Sequence, residues 1–245
     1  MHAATTRFLG LDFQPMMAPE AASRIAGMAS RNEAFTYVVT PNVDHRIRLE
    51  REPQLRPLYE DAGLMVNDSR ILEVLAKADG IALPAAPGAD IVQLLFEHHI
   101  RPDEPVTIIG ADAGIETALR QRFGLTRTYR HAPPMGLRHK PEAIAAAAAF
   151  IAAHPARFHF LCVGSPQQEM VAHAAAKLGT ATGIGLCCGA SLDFLSGRTA
   201  RAPGWMRSAR LEWLHRLGSQ PRRLARRYLV DGPAIFGIWR RSRRA

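Results

Sequence analysis

The chain has 245 residues, a net charge of +9 and 47% apolar side chains. This length suits one large domain, or one domain with an appendage, and the composition excludes a mainly disordered or low-complexity chain. The sequence shows no secretory signal peptide and no run of about 18 apolar residues that would span a bilayer. We therefore predict a cytoplasmic protein that touches a membrane, if at all, from that side.

The positive charge is concentrated near the C-terminus. The segment from Arg198 to Ala245 contains 13 Arg and no Lys, with Glu212 and Asp231 as its acidic residues, so it carries +11. The preceding 197 residues sum to −2. Such a segment indicates a partner that bears phosphate: nucleic acid, anionic lipid or a diphosphate. A solvated basic tail is the simpler alternative, but Trp, Leu and Tyr are interleaved with the arginines.

Short β-rich runs alternate with helical patterns along the first part of the chain. Strands are predicted at Phe35 to Thr40, Leu64 to Val66, Val106 to Ile109, Thr126 to Tyr129, Phe158 to Val163 and Thr182 to Cys188. Helices are predicted at Pro19 to Arg31, Val43 to Arg51, Ser69 to Ala78, Ala89 to His99, Ala113 to Phe123, Pro141 to Ala153 and Gln167 to Leu178. This alternation predicts an α/β fold, Rossmann-like, with a mainly parallel sheet and helices on both faces. Ligands of such sheets bind beyond the carboxyl ends of the strands.

The pattern changes after residue 188. Pro203, Pro221 and Pro233 each stand where a helix can begin, and they divide the tail into three short helical pieces. Apolar and aromatic residues beside arginines are typical of an interfacial helix. We therefore predict an α/β core at residues 1–197 and an arginine-rich helical appendage at residues 198–245.

Three cysteines, Cys162, Cys187 and Cys188, lie in apolar runs. They have neither a CxxC spacing nor a His/Cys ligand pattern around them. We predict buried, reduced thiols and no metal site.

Polar residues follow two of the predicted strands. In Thr40-Pro41-Asn42, a hydroxyl and an amide can bind a sugar or phosphate, but either side chain can equally cap the next helix. In Asn67-Asp68-Ser69, Asp68 can act as a general base. On spacing alone the favoured alternative is that Asp68 or Ser69 caps the helix that follows.

Glycines follow two further strands. Gly110-Ala-Asp-Ala-Gly114 would let backbone amides approach a phosphate at a helix N-terminus, although a tight structural turn explains it almost as well. In Gly164-Ser-Pro-Gln-Gln-Glu169, Gly164 permits close approach, and Gln168 and Glu169 fall in the first helical turn at the ligand end of the sheet. The alternative is a plain helix start, in which Glu169 favours the helix dipole.

Together with the tail, these loops resemble the WecG/TagA/CpsF family, glycosyltransferase family 26. VGSPQQE resembles the family's GxPxQE loop, and GIGLCCGASLDFLSG resembles its glycine-rich stretch. RAPGWM, LEWLHRL and PRRLARRYL follow the family's C-terminal pattern in order and spacing. Thr40-x-Asn42 and IIGADAG resemble its T-x-N and IxGGxxG elements, so the resemblance covers nearly the whole chain.

The resemblance implies an inverting transfer of N-acetylmannosamine, its uronic acid or glucose from a UDP-sugar. The implied acceptor is linked to undecaprenyl diphosphate on the cytoplasmic membrane face, in cell-surface or exopolysaccharide biosynthesis. It also implies a Rossmann-like core, a C-terminal appendage that docks on an anionic membrane, and no metal or other cofactor. The lack of an obvious DxD motif agrees with the last point. Nucleic acid is not an expected partner, and a homo-oligomer is compatible with the resemblance.

Residue roles follow from the resemblance by position. Asp68 matches the family's catalytic aspartate, the proposed general base. The tail arginines that would close over the diphosphate are Arg216, Arg223 and Arg226. Thr40, Asn42 and Gln168 match its polar active-site residues. The loops and the tail add further substrate-binding candidates: Gly110, Gly114, Gly164, Glu169 and Arg201.

The chain departs from the family in two places. The family usually has PDG where this chain has Asn67-Asp68-Ser69. The family's arginine before its G-x-D element is absent, because the segment from Leu83 to Asp90 is one residue short. The contact is then lost or supplied from elsewhere, for example by Arg70, which leaves the donor sugar open.

Two other classes of protein each explain part of the sequence. A nucleic-acid-binding module that uses the basic tail explains the charge but not the polar loops after the strands. A Rossmann-type oxidoreductase requires a complete dinucleotide fingerprint, which this sequence does not contain.

Overall fold

The computed structural model describes residues 5–203 and 225–244, with the side chains of 227 and 228 left out, and the single positions 206, 214, 217 and 218. Most of the two predicted helical pieces that begin at Pro203 and Pro221 lies outside the described residues. So do Arg216 and Arg223. The third piece, which begins at Pro233, is described.

The central feature is a six-stranded sheet in which every neighbouring pair is parallel. Its strands are β3 (Thr36–Val39), β4 (Leu64–Met65), β5 (Val106–Ile109), β6 (Thr128–His131), β7 (Phe158–Leu161) and β8 (Ile184–Cys187), in the order β4-β3-β8-β7-β5-β6. Each predicted strand is present, and the predicted fold class is confirmed. A small antiparallel hairpin of β1 (Thr6–Phe8) and β2 (Leu11–Phe13) was not predicted.

Helices connect and cover the strands. They are α1 (Ala18–Met28), α2 (Val43–Arg51), α3 (Pro57–Glu60), α4 (Arg70–Ala78), α5 (Gly88–His98), α6 (Ala113–Phe123), α7 (Pro141–Ala153), α8 (Gln167–Leu178), α9 (Ser191–Leu195) and α10 (Ala234–Ser242). Short 3-10 turns occur at Pro53–Leu55 and Leu137–His139, and a π-helical turn at Arg226–Asp231. The bounds of α2, α6, α7 and α8 are those predicted, and Pro233 does precede a helix.

The sheet is buried on both faces because alternate strand residues enter two separate cores. Tyr37, Ile109 and Leu161 pack with α2, α7 and α8 on one face. Val38 and Phe160 pack with α1, α5 and α6 on the other. Parallel sheets covered on both sides contain such continuous apolar strands.

The end of the chain packs on the core. Ile235 and Ile238 of α10 are buried in the same core as α2 and α4. Trp239 Nε1 donates a hydrogen bond to Asp79 Oδ2 at 2.7 Å, and Arg241 pairs with Glu50 at 3.0 Å. The helix is therefore docked by both apolar and polar contacts.

The residues just after position 197 also contact the core. Arg198 pairs with Asp112 at the start of α6, and Arg201 Nη2 lies 2.7 Å from Asp90 Oδ1 in the first turn of α5. The boundary between a core and an appendage at residue 197 thus stays a prediction.

The three cysteines are free thiols. Cys187 and Cys188 are buried, and burial raises the pKa of the Cys187 thiol. Cys162 is only half-buried, which corrects the prediction for that residue, and its Sγ lies 3.4 Å from Cys188 Sγ.

Candidate functional site

Four adjacent strands bring the predicted polar loops to one edge of the sheet. β4, β3, β8 and β7 are neighbours in that order, so the loops after their carboxyl ends lie side by side. These loops contain Asp68, Asn42, Gly189 and Gly164, respectively. The topology therefore joins segments that are far apart in the sequence.

Ser69, not Asp68, is the N-cap of α4. Ser69 Oγ accepts a hydrogen bond from Leu72 N at 3.2 Å. The buried Asn67 side chain supports this turn, because its Oδ1 accepts from Ser69 N at 2.9 Å. Ser69 is thus the residue that caps α4, and the Asp68 carboxylate makes other contacts.

The half-buried Asp68 carboxylate is held from two other loops. Its Oδ1 accepts from Gly88 N, the first amide of α5, at 2.8 Å, and its Oδ2 accepts from Asn42 Nδ2 at 3.3 Å. Thr40 lies beside Gly88, whose amide holds Asp68: a Cβ built on Gly88 would be 3.2 Å from Thr40 Oγ1. The structure therefore brings Thr40, Asn42 and Asp68 together, and their roles in binding and catalysis stay predictions.

Asn42 caps the next helix, as one of the two predicted alternatives had it, and its side-chain amide also contacts Asp68. Its Oδ1 caps α2 by accepting from Asp44 N at 3.1 Å and His45 N at 3.4 Å, while its Nδ2 faces Asp68. In return, His45 Nδ1 accepts from Asn42 N at 3.0 Å, which completes a capping box. The amide that contacts Asp68 is thus fixed by the helix start.

Gln168 and Glu169 are both buried in the first turn of α8, at 4% and 1% exposure. Gln168 Oε1 accepts from Gly189 N at 2.9 Å, and its Nε2 donates to Glu169 Oε1 at 2.9 Å. Burial raises the pKa of the Glu169 carboxyl, against the opposing effect of the Gln168 hydrogen bond. Glu169 Oε1 lies 4.0 Å from His45 Nε2. Polar contacts therefore run from Asp68 through Asn42, His45, Glu169 and Gln168 to Gly189 in the loop after β8.

An arginine that sequence reasoning missed lies beside these groups. Arg48 Nη1 donates to Ser165 Oγ at 2.7 Å, and its Nη2 donates to Asp44 Oδ2 at 2.7 Å. The buried Tyr59 hydroxyl lies 3.3 Å from the same Ser165 oxygen. The available signal was the spacing Asn42-x-x-His45-x-x-Arg48, which places the three side chains near one face of α2.

The two glycine loops differ in their surroundings. At Gly110, a Cβ would lie 2.3 Å from Val163 Cγ1, and its own N–H donates to His131 O. Gly114 follows Asp112, which caps α6 and pairs with Arg198. At Gly164, no described atom lies within 4 Å of where a Cβ would stand. The predicted ligand contacts of the three glycines stay predictions, and packing alone already accounts for Gly110.

Of the tail arginines predicted to bind substrate, Arg201 and Arg226 are described, and they lie in different places. Arg201 pairs with Asp90 in the first turn of α5, the same turn whose amide holds Asp68. Arg226 is 86% exposed, and its nearest acidic contact is Asp231 at 3.8 Å. Asp231 in turn binds Arg51, at the end of α2 opposite to Asn42. Because α2 is about 13 Å long, Arg226 and Asp68 are not together in this structure.

Arg70, the suggested replacement for the missing family arginine, pairs with Glu73 at 3.2 Å. Glu73 Oε1 accepts from Ala85 N at 3.4 Å, so Arg70 borders the shortened loop through Glu73.

Among the described residues, no three His, Cys, Asp or Glu side chains are grouped so as to hold a metal ion. In the same part of the chain, none of the helices has the length and apolar character needed to cross a bilayer.

The fold and the site together define a class: a Rossmann-like α/β protein with a buried polar site at the carboxyl edge of its sheet. The model of the glycosyl transferase WecG/TagA/CpsF family matches residues 6–245, nearly the whole chain. The chain therefore belongs to this family, and it is a glycosyltransferase, an enzyme that moves a sugar from a donor to an acceptor.

Proposed function

We propose that this glycosyltransferase moves a sugar from a UDP-sugar to an acceptor linked to undecaprenyl diphosphate, with inversion at the anomeric carbon. The sugar is of the N-acetylmannosamine, N-acetylmannosaminuronic acid or glucose type, and the product serves cell-surface or exopolysaccharide biosynthesis. Family membership supports sugar transfer, and the loop motifs support the finer assignment. The observation that carries the proposal is the Asp68 carboxylate, held by Gly88 and Asn42 at the ligand edge of the sheet.

In the proposed reaction, Asp68 accepts the proton of the attacking acceptor hydroxyl. The acceptor oxygen forms a bond to the anomeric carbon from the face opposite UDP. The bond between that carbon and the diphosphate oxygen breaks, and UDP leaves with the electron pair. Thr40, Asn42 and Gln168 would bind the substrates, because they surround the carboxylate or anchor the neighbouring loop.

Charge develops on the leaving diphosphate, and we assign its stabilisation to Arg216, Arg223 and Arg226. The exposed guanidinium of Arg226 would have to approach the Asp68 side of α2 when the donor binds. No metal is required in this scheme.

The role of Arg226 can be tested by one substitution. We expect R226A to lower kcat by about tenfold, the effect of losing one charge-assisted hydrogen bond. R244A, at another exposed arginine, is the control. Truncation is unsuitable, because it would also remove Ile235 and Ile238 from the core. Equal turnover of the two variants would take Arg226 out of the reaction.

The tail would also contact the anionic inner face of the membrane, which makes the enzyme peripheral and cytoplasmic. Support comes from three exposed apolar side chains, Leu229, Val230 and Phe236, which lie near exposed arginines in the sequence. Trp239, which by composition also suits a membrane surface, is engaged with Asp79 instead.

The proposal is tested by measuring UDP release from a panel of UDP-sugars with a lipid-diphosphate acceptor, with and without EDTA. We expect D68N to lower kcat by about 10³-fold, within the range of general-base catalysis, while UDP binding is retained. D103N, at an exposed aspartate, is the matched control.

Three outcomes would contradict parts of the proposal. Wild-type turnover in D68N would remove Asp68 from its role. Loss of activity in EDTA would contradict the metal-free scheme. Nucleic-acid affinity with a steep salt dependence, without UDP binding, would favour a nucleic-acid module instead.

A further inference from the structure

We propose that His45 is a positioning residue of this site, which ties the Asn42–Asp68 pair to the buried Glu169. Its Nδ1 accepts a hydrogen bond from the Asn42 backbone, and its Nε2 lies 4.0 Å from Glu169 Oε1. The inference rests on the proposed role of Asp68, because positioning matters for turnover only if that carboxylate takes part in the reaction.

The backbone determines which ring nitrogen of His45 carries the proton. Asn42 N–H is a donor, and it points at His45 Nδ1 from 3.0 Å, so Nδ1 must be unprotonated to accept. A neutral ring then carries its proton on Nε2. That nitrogen lies 4.0 Å from Glu169 Oε1, which is beyond hydrogen-bond distance but close enough for its N–H dipole to favour the carboxylate. His45 is 8% exposed, so water does not easily replace either partner.

The surroundings explain why a histidine stands at this position. The usual residue at the third helical position of a capping box is Glu or Gln, which reaches back to the N-cap amide. A Glu there would place a second carboxylate beside Glu169, which is 1% exposed, and buried like charges repel. Histidine provides an acceptor on one side and a donor on the other. It is therefore suited to joining α2 to the first turn of α8.

The contact reaches Asp68 through a single residue. Asn42 uses its backbone N–H toward His45, its Oδ1 toward two amides of α2, and its Nδ2 toward Asp68 Oδ2 at 3.3 Å. Release of the backbone bond would let this amide move relative to the carboxylate. Displacement of a reacting group by about 1 Å can cost about 10²-fold in rate.

Four variants separate positioning from simple stabilisation. We expect H45L, which loses both contacts, to lower kcat by about 30- to 100-fold while UDP affinity is kept. H45Q retains an acceptor and a donor, so its kcat should stay within about threefold of wild type. H45E retains the capping acceptor but adds charge beside Glu169, and it should lose turnover as H45L does. Adding E169Q to H45E should bring kcat close to that of E169Q alone, because the amide can donate to the introduced carboxylate.

H98L, at an exposed histidine of α5, is the matched control, and thermal melts establish that each variant is folded. The inference is overturned if H45L turns over like wild type. It is also overturned if H45L, H45Q and H45E are equally impaired, or if H45E lowers kcat as much in the E169Q background as it does in wild type.

A measurement without substrate separates this inference from the proposed function. In protein labelled with ¹⁵N-histidine, the signal lost in H45Q identifies His45. We expect an unprotonated Nδ1 and a protonated Nε2 near neutral pH, and a ring protonated at Nδ1 overturns the inference. If wild type releases no UDP from any donor while His45 shows the expected tautomer, the proposed function fails. The contacts of His45 with Asn42 and Glu169 are then still supported.

Discussion

Two glycine loops, after β5 and β7, carry similar sequence signals but have different surroundings. At Gly110 the space beside the backbone is filled, since a Cβ would overlap Val163 and crowd the backbone of Cys162. At Gly164 that space is open, with no described atom within 4 Å. Both glycines adopt positive φ angles, +95° and +78°.

The difference separates two reasons for a glycine after a strand. Both positions need the left-handed backbone that glycine adopts without strain. Only the Gly110 turn also needs the missing side chain, because Cys162 and Val163, which follow β7, pack against it. The open side of Gly164 lies in the loop that leads to the buried Gln168 and Glu169. We therefore expect the first loop to matter for folding and the second for ligand binding.

The largest effect should come from G110A. The added methyl would meet Val163 backbone N at 3.0 Å as well as its side chain, in addition to the unfavourable φ. We expect a loss of about 3 kcal/mol or more in the free energy of unfolding, measured in urea. G136A is the control, because Gly136 has a φ of +73° but open space around it. If both variants lose the same stability, contact with Val163 is not what requires glycine at position 110.

A smaller effect on stability is expected for G164A. Its cost should be about 1 kcal/mol, as for G136A, because only the backbone angle is unfavourable. The methyl group would, however, enter the open space where we place the ligand. We expect UDP affinity, measured by calorimetry, to fall by about tenfold in G164A. The G136A variant should bind like wild type, and equal binding by the two variants would show that the ligand lies elsewhere.

The smallest effect concerns the pH dependence at Glu169. Burial raises the pKa of its carboxyl above the ordinary 4.5, so the native state keeps a proton that the unfolded state has lost. The free energy of unfolding therefore decreases as pH rises from the ordinary pKa of a glutamate to the raised pKa of Glu169. E169Q cannot titrate, so wild type should lose stability relative to E169Q as pH rises above the ordinary 4.5 and through the raised pKa of Glu169. E97Q, at an exposed glutamate, is the control, and a difference that grows in favour of wild type would contradict this.

Much of the fold followed from local signals. The bounds of α2 and α6 match their predictions because Asn42 and Asp112 cap them, and Pro141 opens α7. The hairpin was missed because its strands have three residues and its turn is Leu9-Gly10. Leu9 has a φ of +48°, where Asn or Asp is usual.

The candidate site was only partly predictable. The loops after the strands follow from the topology of parallel sheets, and they contained Asn42, Asp68 and Gln168. Whether Asp68 or Ser69 caps α4 could not be decided locally, because both are good caps. The answer depends on a hydrogen bond to Gly88, 20 residues further along the chain. His45 and Arg48 were missed because polar residues within a helix usually form its solvated face.

The docking of α10 has a consequence for the way the chain opens. Protein ends usually fray, and their amides exchange with solvent quickly. Here Ile235 and Ile238 share a core with α2 and α4, and Trp239 is anchored to Asp79. Undocking α10 would expose apolar surface of that core, so the end of this chain belongs to the same cooperative unit as the strands. Its amides should therefore exchange when that unit opens. To insert into a bilayer, Trp239 would first have to break its hydrogen bond to Asp79 and leave the core.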